Sequence, residues 1–291
     1  MGAPTEEPRF RPDIVRPAPW ALVLSSGTVR GFAHIGVLRE LEHAGLRPDL
    51  IVGTSAGAIV GAVSASGVSA KDLAIAAGQM KQSLFGDWIV PRIGLLGGRG
   101  IHGFVDTNAR AHRIEEFPVR FAAVAVEAER GCLQIFNAGD AGKAVQASST
   151  VPVFLVPPEI GGKKYLDGGL TSPLPVRVAR LLGAQRVVAV DVTFDPAERP
   201  FRSISDAFWR STLVMQRALA ILEGMEADVL VSPRLPRERE ISFANREAIV
   251  ESGALAARDA VPAIRRMLAS RLPDQGAKSL PPQLLCSVPE R

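Results

Sequence analysis

The sequence predicts an α/β protein in which helices pack against a mainly parallel sheet. Three observations predict it. Short β-branched runs alternate with longer segments of helical periodicity along most of the chain. Ala, Val, Leu and Gly dominate and only 5% of residues are aromatic, which suits helices packed closely on a sheet. Residues 50–67, LIVGTSAGAIVGAVSASG, read as a strand, a tight turn and a helix with one serine at the bend.

Taken in order, the chain opens on a Pro-rich lead, residues 1–18, expected to be flexible. Trp20 to Leu24 is a buried-strand pattern ending in the loop Ser25–Gly31, and Phe32, Ile35, Leu38 and Leu41 mark one face of a helix that Gly45 stops. Pro48 to Val52 is the strand leading into the serine bend. Ser69 N-caps a helix to about Leu84, and residues 83–100 form an irregular apolar stretch. A helix is expected over Asp106 to Glu116, then strands at Val119–Glu127 and Cys132–Asn137 joined as a hairpin through Gly131. Asp140 to Ala147 reads as helix and Lys164 to Leu166 as a short strand ending at Asp167-Gly168-Gly169. Pro175 to Leu182 is helical, Arg186 to Val192 a buried strand, and Ser203 to Glu223 a long helix. One stripe of that helix carries Ile204, Ala207, Phe208, Ser211, Met215, Ala218, Leu219 and Leu222. Asp228 to Ser232 is the last strand, and Pro262 is expected to kink a closing helix over Asn245–Leu268. A single domain over residues 19–270 is therefore expected, with a Pro-rich tail at 271–291.

Composition removes several classes. The hydrophobic content of 47% excludes a disordered chain, and a net charge of +4 without a Lys/Arg run gives no footprint for nucleic acid. The N-terminal residues lack the apolar core of a secretory signal, and no uncharged apolar run is long enough to span a bilayer. Cys132 and Cys286 stand far apart with no metal or redox spacing, so reduced thiols and a cytoplasmic location, peripheral at a membrane at most, are the expectation. No cofactor and no metal are expected; oligomeric state is not legible.

The serine bend is Gly53-Thr54-Ser55-Ala56-Gly57, a G-x-S-x-G pattern. Small flanks at Gly53 and Gly57 let strand and helix meet at a strained turn that lifts the Ser55 hydroxyl to a helix N-terminus. A serine needs a base. Of the four histidines, His34, His43, His102 and His112, none lies after residue 112, so none follows the strand-end acids Asp167 and Asp191 as the order Ser…Asp/Glu…His would require. Asp167, a strand-end acid with open space beside it, is the better partner; Asp191, at the end of RVVAVDV, is the runner-up. His34 reads as support for the preceding loop. That loop, 25–31, has the form of an anion site at a helix N-terminus but carries neither G-x-x-x-x-G-K-[ST] nor G-x-G-x-x-G.

With SSGTVRG at 25–31, GTSAG at 53–57 and DGG at 167–169, the chain resembles the patatin-like phospholipases, especially compact bacterial members. FAHIGVLREL, AVQASSTVPVF and DGGLTSPLPV extend the resemblance from about Leu22 to Asp191. The resemblance implies a three-layer α/β/α sandwich and a Ser–Asp dyad, with Ser55 as nucleophile and Asp167 as base. It further implies an oxyanion hole from Gly27, Thr28 and Arg30, and a lipid or other acyl-ester substrate. Ser26 and Thr28 stand where many members carry glycine, which keeps open a silent lipid-binding or regulatory protein on the same scaffold. Arg30 either polarises the site or anchors its loop. Phe85, Trp88, Leu95 and Leu96 are the expected surface for membrane contact.

Overall fold

Alternation within each strand builds two cores from one sheet. A computed structural model describes residues 6–80, 94–194, 202–236, 241–271 and 285–286. Its elements are β1 (Ala21–Leu24), α1 (Phe32–His43), β2 (Leu50–Thr54), α2 (Ala56–Ala65), α3 (Ala70–Gly78), β3 (Gly94–Leu96), α4 (Arg99–Asn108), β4 (Arg120–Glu127) and β5 (Leu133–Phe136). There follow α5 (Ala141–Ser148), β6 (Val153–Leu155), β7 (Glu159–Ile160), β8 (Lys163–Asp167), α6 (Val176–Leu181), β9 (Val187–Val190), α7 (Ile204–Gly224), β10 (Val229–Val231) and α8 (Arg246–Ala269).

The main sheet runs β10-β9-β1-β2-β4-β8-β7, with β5 pairing β4. From β10 to β4 all pairs are parallel, while β5 and β8 run antiparallel to β4. Leu22, Leu24, Ile51, Val188 and Val190 point into a core shared with α1, α2, α5 and α8. Their neighbours Ala21, Val23, Leu50, Val52, Val187 and Ala189 point into a second core under α6. Strands buried on both faces must be apolar throughout, which is why they read as continuous runs and not as alternation. The result is the three-layer α/β/α architecture around a mainly parallel sheet.

Several local expectations change. The expected helix at 106–116 is displaced: α4 ends at Asn108, because Ile101, Phe104 and Val105 give it a buried face that begins beyond Gly98. Gly98 adopts a positive φ of 68° at its N-terminus. Strands β3, β6 and β7 are too short to announce themselves. Helix α8 runs uninterrupted through Pro262. Of the stripe read on α7, Ile204 is 92% exposed and Met215 and Leu222 are also exposed, whereas Leu213, Ala220 and Glu223, outside it, are buried.

The N-terminal lead is tied down at several points from Glu6 onward. Asp140 donates its N–H to the Glu6 carbonyl, and Arg9 and Ala18 form bridges to Ala138 and Ala184. The two cysteines, expected as separate thiols, are joined in a disulfide with Cα atoms 5.1 Å apart. It fastens the segment at Leu285 and Cys286 to the edge of β5, where Leu285 bridges Leu133. The thiol argument for a reducing compartment is thereby removed. Among the described residues no helix is long and apolar enough to cross a membrane.

Candidate active site

Ser55 sits where β2 ends and α2 begins. Its backbone is held at φ 54° and ψ −119°, a positive-φ conformation that costs a non-glycine residue roughly 1–3 kcal/mol. The flanking glycines make the bend sterically possible. A Cβ on Gly57 would lie 2.1 Å from the Leu24 carbonyl oxygen, and one on Gly53 would lie 2.4 Å from that of Gly57. Ser148, at the end of α5, fixes the turn from behind. Its Oγ accepts the Ser55 N–H at 2.9 Å and donates to the Val124 carbonyl at 2.6 Å. Sequence reasoning missed Ser148, since nothing local distinguishes it from its neighbour Ser149.

Asp167 closes β8 opposite Ala125 of β4, with its N–H donated to the Thr150 carbonyl at 2.8 Å. Its Oδ1 accepts the Gly169 N–H at 2.7 Å, and its carboxyl and Ser55 line the same cavity. Burial pushes the carboxyl up to about 6, against the Ser55 side chain and the Gly169 N–H, which favour its ionised form and lower it. An acid held in that range is a far better proton acceptor near neutral pH than a free aspartate at about 3.9. Asp191 has a different setting. It receives the Thr193 N–H and Oγ1 on one oxygen and pairs with Arg217 at 2.6 Å on the other, and it lines no part of the cavity that contains Ser55 and Asp167.

The loop from Gly27 to Gly31 makes a short 3-10 turn. Within it, the Arg30 N–H is already donated to the Gly27 carbonyl at 3.0 Å. Among the described residues no acceptor serves the Gly27 or Thr28 N–H, and both residues line the cavity beside Ser55. Thr28, at φ 49°, turns its hydroxyl back onto the Gly27 carbonyl at 2.8 Å. Arg30 is buried: its guanidinium donates to the Thr193 carbonyl at 3.3 Å and lies 4.1 Å from the centre of the Phe194 ring. Its side chain thus ties the loop to Thr193 and Phe194, just beyond β9.

His34 is fully buried, with Nε2 donating to the Ser25 carbonyl at 2.9 Å; burial holds it down at about 4, so it is neutral. It stays out of the cavity. The amide of glutamine can make the same donation, so His34→Gln is expected to retain at least about a third of the ester turnover. A loss comparable to that of a dyad variant, measured on folded protein, would assign His34 to the chemistry.

The cavity measures about 440 Å³, within the range of roughly 300–1,000 Å³ usual for ligand sites. It runs from Ser55 and Asp167 between Ile35, Ile59, Leu73 and Phe104, an apolar channel suited to a hydrocarbon chain. Trp209, Thr212, Leu213 and Gln216 of α7 form another wall, and Phe154 stacks on Trp209 with ring centres 4.9 Å apart. The α7 residues were invisible to a hydropathy stripe because the inward face mixes polar and apolar groups. Of the expected membrane-contact residues, Phe85 and Trp88 lie outside the described residues. Leu95 and Leu96 belong to β3, which pairs with β6 in the two-stranded sheet beside the cavity.

The family model for patatin-like phospholipases matches residues 22–180, more than half of the chain. "Patatin-like phospholipase domain-containing protein 7" of Rattus norvegicus is 30% identical over 181 residues, covering 59% of this chain and 13% of that protein. An NTE family protein of Mycobacterium tuberculosis is 33% identical over 175 residues, covering 59% of this chain and 48% of that protein. The chain spans less than half the length of either relative. Among solved structures, VipD from Legionella pneumophila matches with a TM-score of 0.47 at 13% identity, covering 89% of this chain and 70% of that one.

Proposed function

Because the chain belongs to the patatin-like phospholipase family, we propose that it is a serine acyl hydrolase of lipid esters working through Ser55 and Asp167. The observation that carries this reading is that Ser55, held at a positive φ, and the buried Asp167 carboxyl, whose ionised form the Ser55 side chain favours, line one apolar channel. Ser55 Oγ attacks the ester carbonyl carbon while its proton passes to the Asp167 carboxylate. The negative oxygen is met by the Gly27 and Thr28 amides, whose geometry before reaction costs no reorganisation. Collapse expels the alcohol, which takes the proton from Asp167 and leaves an acyl-enzyme; water repeats the sequence and frees the acid. Arg30 holds the loop that presents the amides.

A fluorophosphonate probe and a panel of p-nitrophenyl esters and phospholipids test the reading. Labelling at one serine with ester turnover is expected. A folded protein that neither labels nor turns over any ester would be the silent lipid-binding alternative.

Lipid access is assigned to the apolar rim of the channel. Val153 and Phe154 are 55% and 41% exposed, and Ile204 stands out at the start of the same helix that carries Trp209. Val153 and Ile204 do not line the channel. Replacing both with serine is expected to lower turnover of phospholipid vesicles about tenfold while a short soluble ester stays within twofold. Equal losses on the two substrates would remove the rim from interfacial binding.

A further inference from the structure

The three motifs that build the site come from distant parts of the chain, yet one short segment, Ser172–Pro173–Leu174, is tied to all of them. The Ser172 carbonyl accepts the Thr54 hydroxyl at 2.9 Å, next to Ser55. The Pro173 carbonyl accepts the Ser26 N–H at 2.8 Å, next to the Gly27 and Thr28 amides. The Ser172 N–H returns to the Gly168 carbonyl at 2.9 Å, closing the turn that follows Asp167. Small errors in such a hub would reach nucleophile, base and oxyanion donors together.

A single side chain holds the hub in place. Glu223, near the C-terminal end of α7, is 5% exposed; its Oε1 lies 2.6 Å from Ser172 Oγ and its Oε2 accepts the Leu174 N–H at 3.1 Å. We propose that Glu223 is a positioning residue of the active site, pinning the Ser172–Leu174 segment that sets the mutual geometry of Ser55, Asp167 and the Gly27–Thr28 loop. The inference rests on the Ser55–Asp167 hydrolase reading. A carboxyl buried for packing alone would be replaced at low cost by an apolar side chain, whereas this one uses both oxygens on one loop. Burial pushes it up to about 8, so near neutral pH it is mostly the neutral acid. Oε2 accepts the Leu174 N–H and Oε1 accepts the Ser172 hydroxyl. A glutamine amide offers the same two contacts, with the N–H₂ group donating to Ser172.

The test is turnover of a short p-nitrophenyl ester by wild type, Glu223→Ala, Glu223→Gln and Ser172→Ala, each normalised to active sites counted by exhaustive fluorophosphonate labelling. Misplacing reacting groups by about 1 Å costs on the order of 100-fold. Glu223→Ala is therefore expected to lose about 30- to 100-fold in kcat per labelled site with KM within threefold, and Glu223→Gln to restore most of it. Ser172→Ala, which empties little buried volume, is expected to lose about tenfold. A purely structural glutamate would lower the number of labelled sites and leave kcat per site unchanged. Values within threefold of wild type for both Glu223→Ala and Ser172→Ala overturn the inference, and Ser172→Ala alone decides it if Glu223→Ala does not fold. Wild type that fails to label or turn over overturns the hydrolase reading instead.

Discussion

Ser55→Ala is expected to abolish ester turnover, by at least about 10⁴-fold in kcat, together with all fluorophosphonate labelling. The fold should survive. Ser55 contributes a hydroxyl to a cavity wall, while the turn itself is fixed by the backbone bond from Ser55 N–H to Ser148 and by the Gly53 and Gly57 contacts, which alanine leaves in place. Alanine inherits the same positive φ, so strain is unchanged. The melting temperature is accordingly expected within a few degrees of wild type. Persistent labelling on another residue, or turnover above about 1% of wild type, would end the assignment of Ser55 as nucleophile.

The parts of this site visible in the sequence are those whose physics is local. Two glycines around a serine between a strand and a helix have a steric reason that five residues can state. The same holds for the acid before Gly168-Gly169, where a Cβ at 168 would sit 2.2 Å from the Val124 carbonyl oxygen. Both motifs stand at strand ends, Ser55 after β2 and Asp167 closing β8.

What stayed hidden depends on contacts made across the chain. Helix α7 offers Ile204, Met215 and Leu222 of its apolar stripe to the outside and turns Thr212, Gln216 and Glu223 inward, because its inner face meets a polar loop and the cavity that holds Ser55 and Asp167. Hydropathy ranks those faces in the opposite order. The Cys132–Cys286 disulfide bridges a separation of 154 residues and is fixed by how the C-terminal segment returns to β5. Arg30 left two readings open in the sequence, and its contacts with Thr193 and Phe194, made across more than 160 residues, were not legible there.

Asp167→Asn is expected to be nearly as damaging as loss of the serine, on the order of 10³- to 10⁴-fold, since an amide cannot take the hydroxyl proton. Its amide oxygen can still accept the Gly169 N–H, so the turn after β8 stays formed. Wild-type activity has a matching pH dependence. The base must be ionised, and burial holds its proton on up to about 6, so kcat/KM is expected to fall as pH drops through about 6. Stability runs the other way. A carboxyl raised from 3.8 to about 6 on folding favours the native state fully below 3.8, and that contribution is lost as pH rises through about 6. The ionised, working carboxylate thus costs the fold on the order of 3 kcal/mol. Asp167→Asn removes that cost, so the inactive variant is expected to melt several degrees above wild type at pH 8 and to lose the advantage near pH 4. Thermal melts of both proteins across pH 4–8, beside a pH–rate profile of the wild type, measure the two arms. A flat profile between pH 5 and 7, or an asparagine variant that melts below wild type at pH 8, would show that Asp167 is not the buried base of this site.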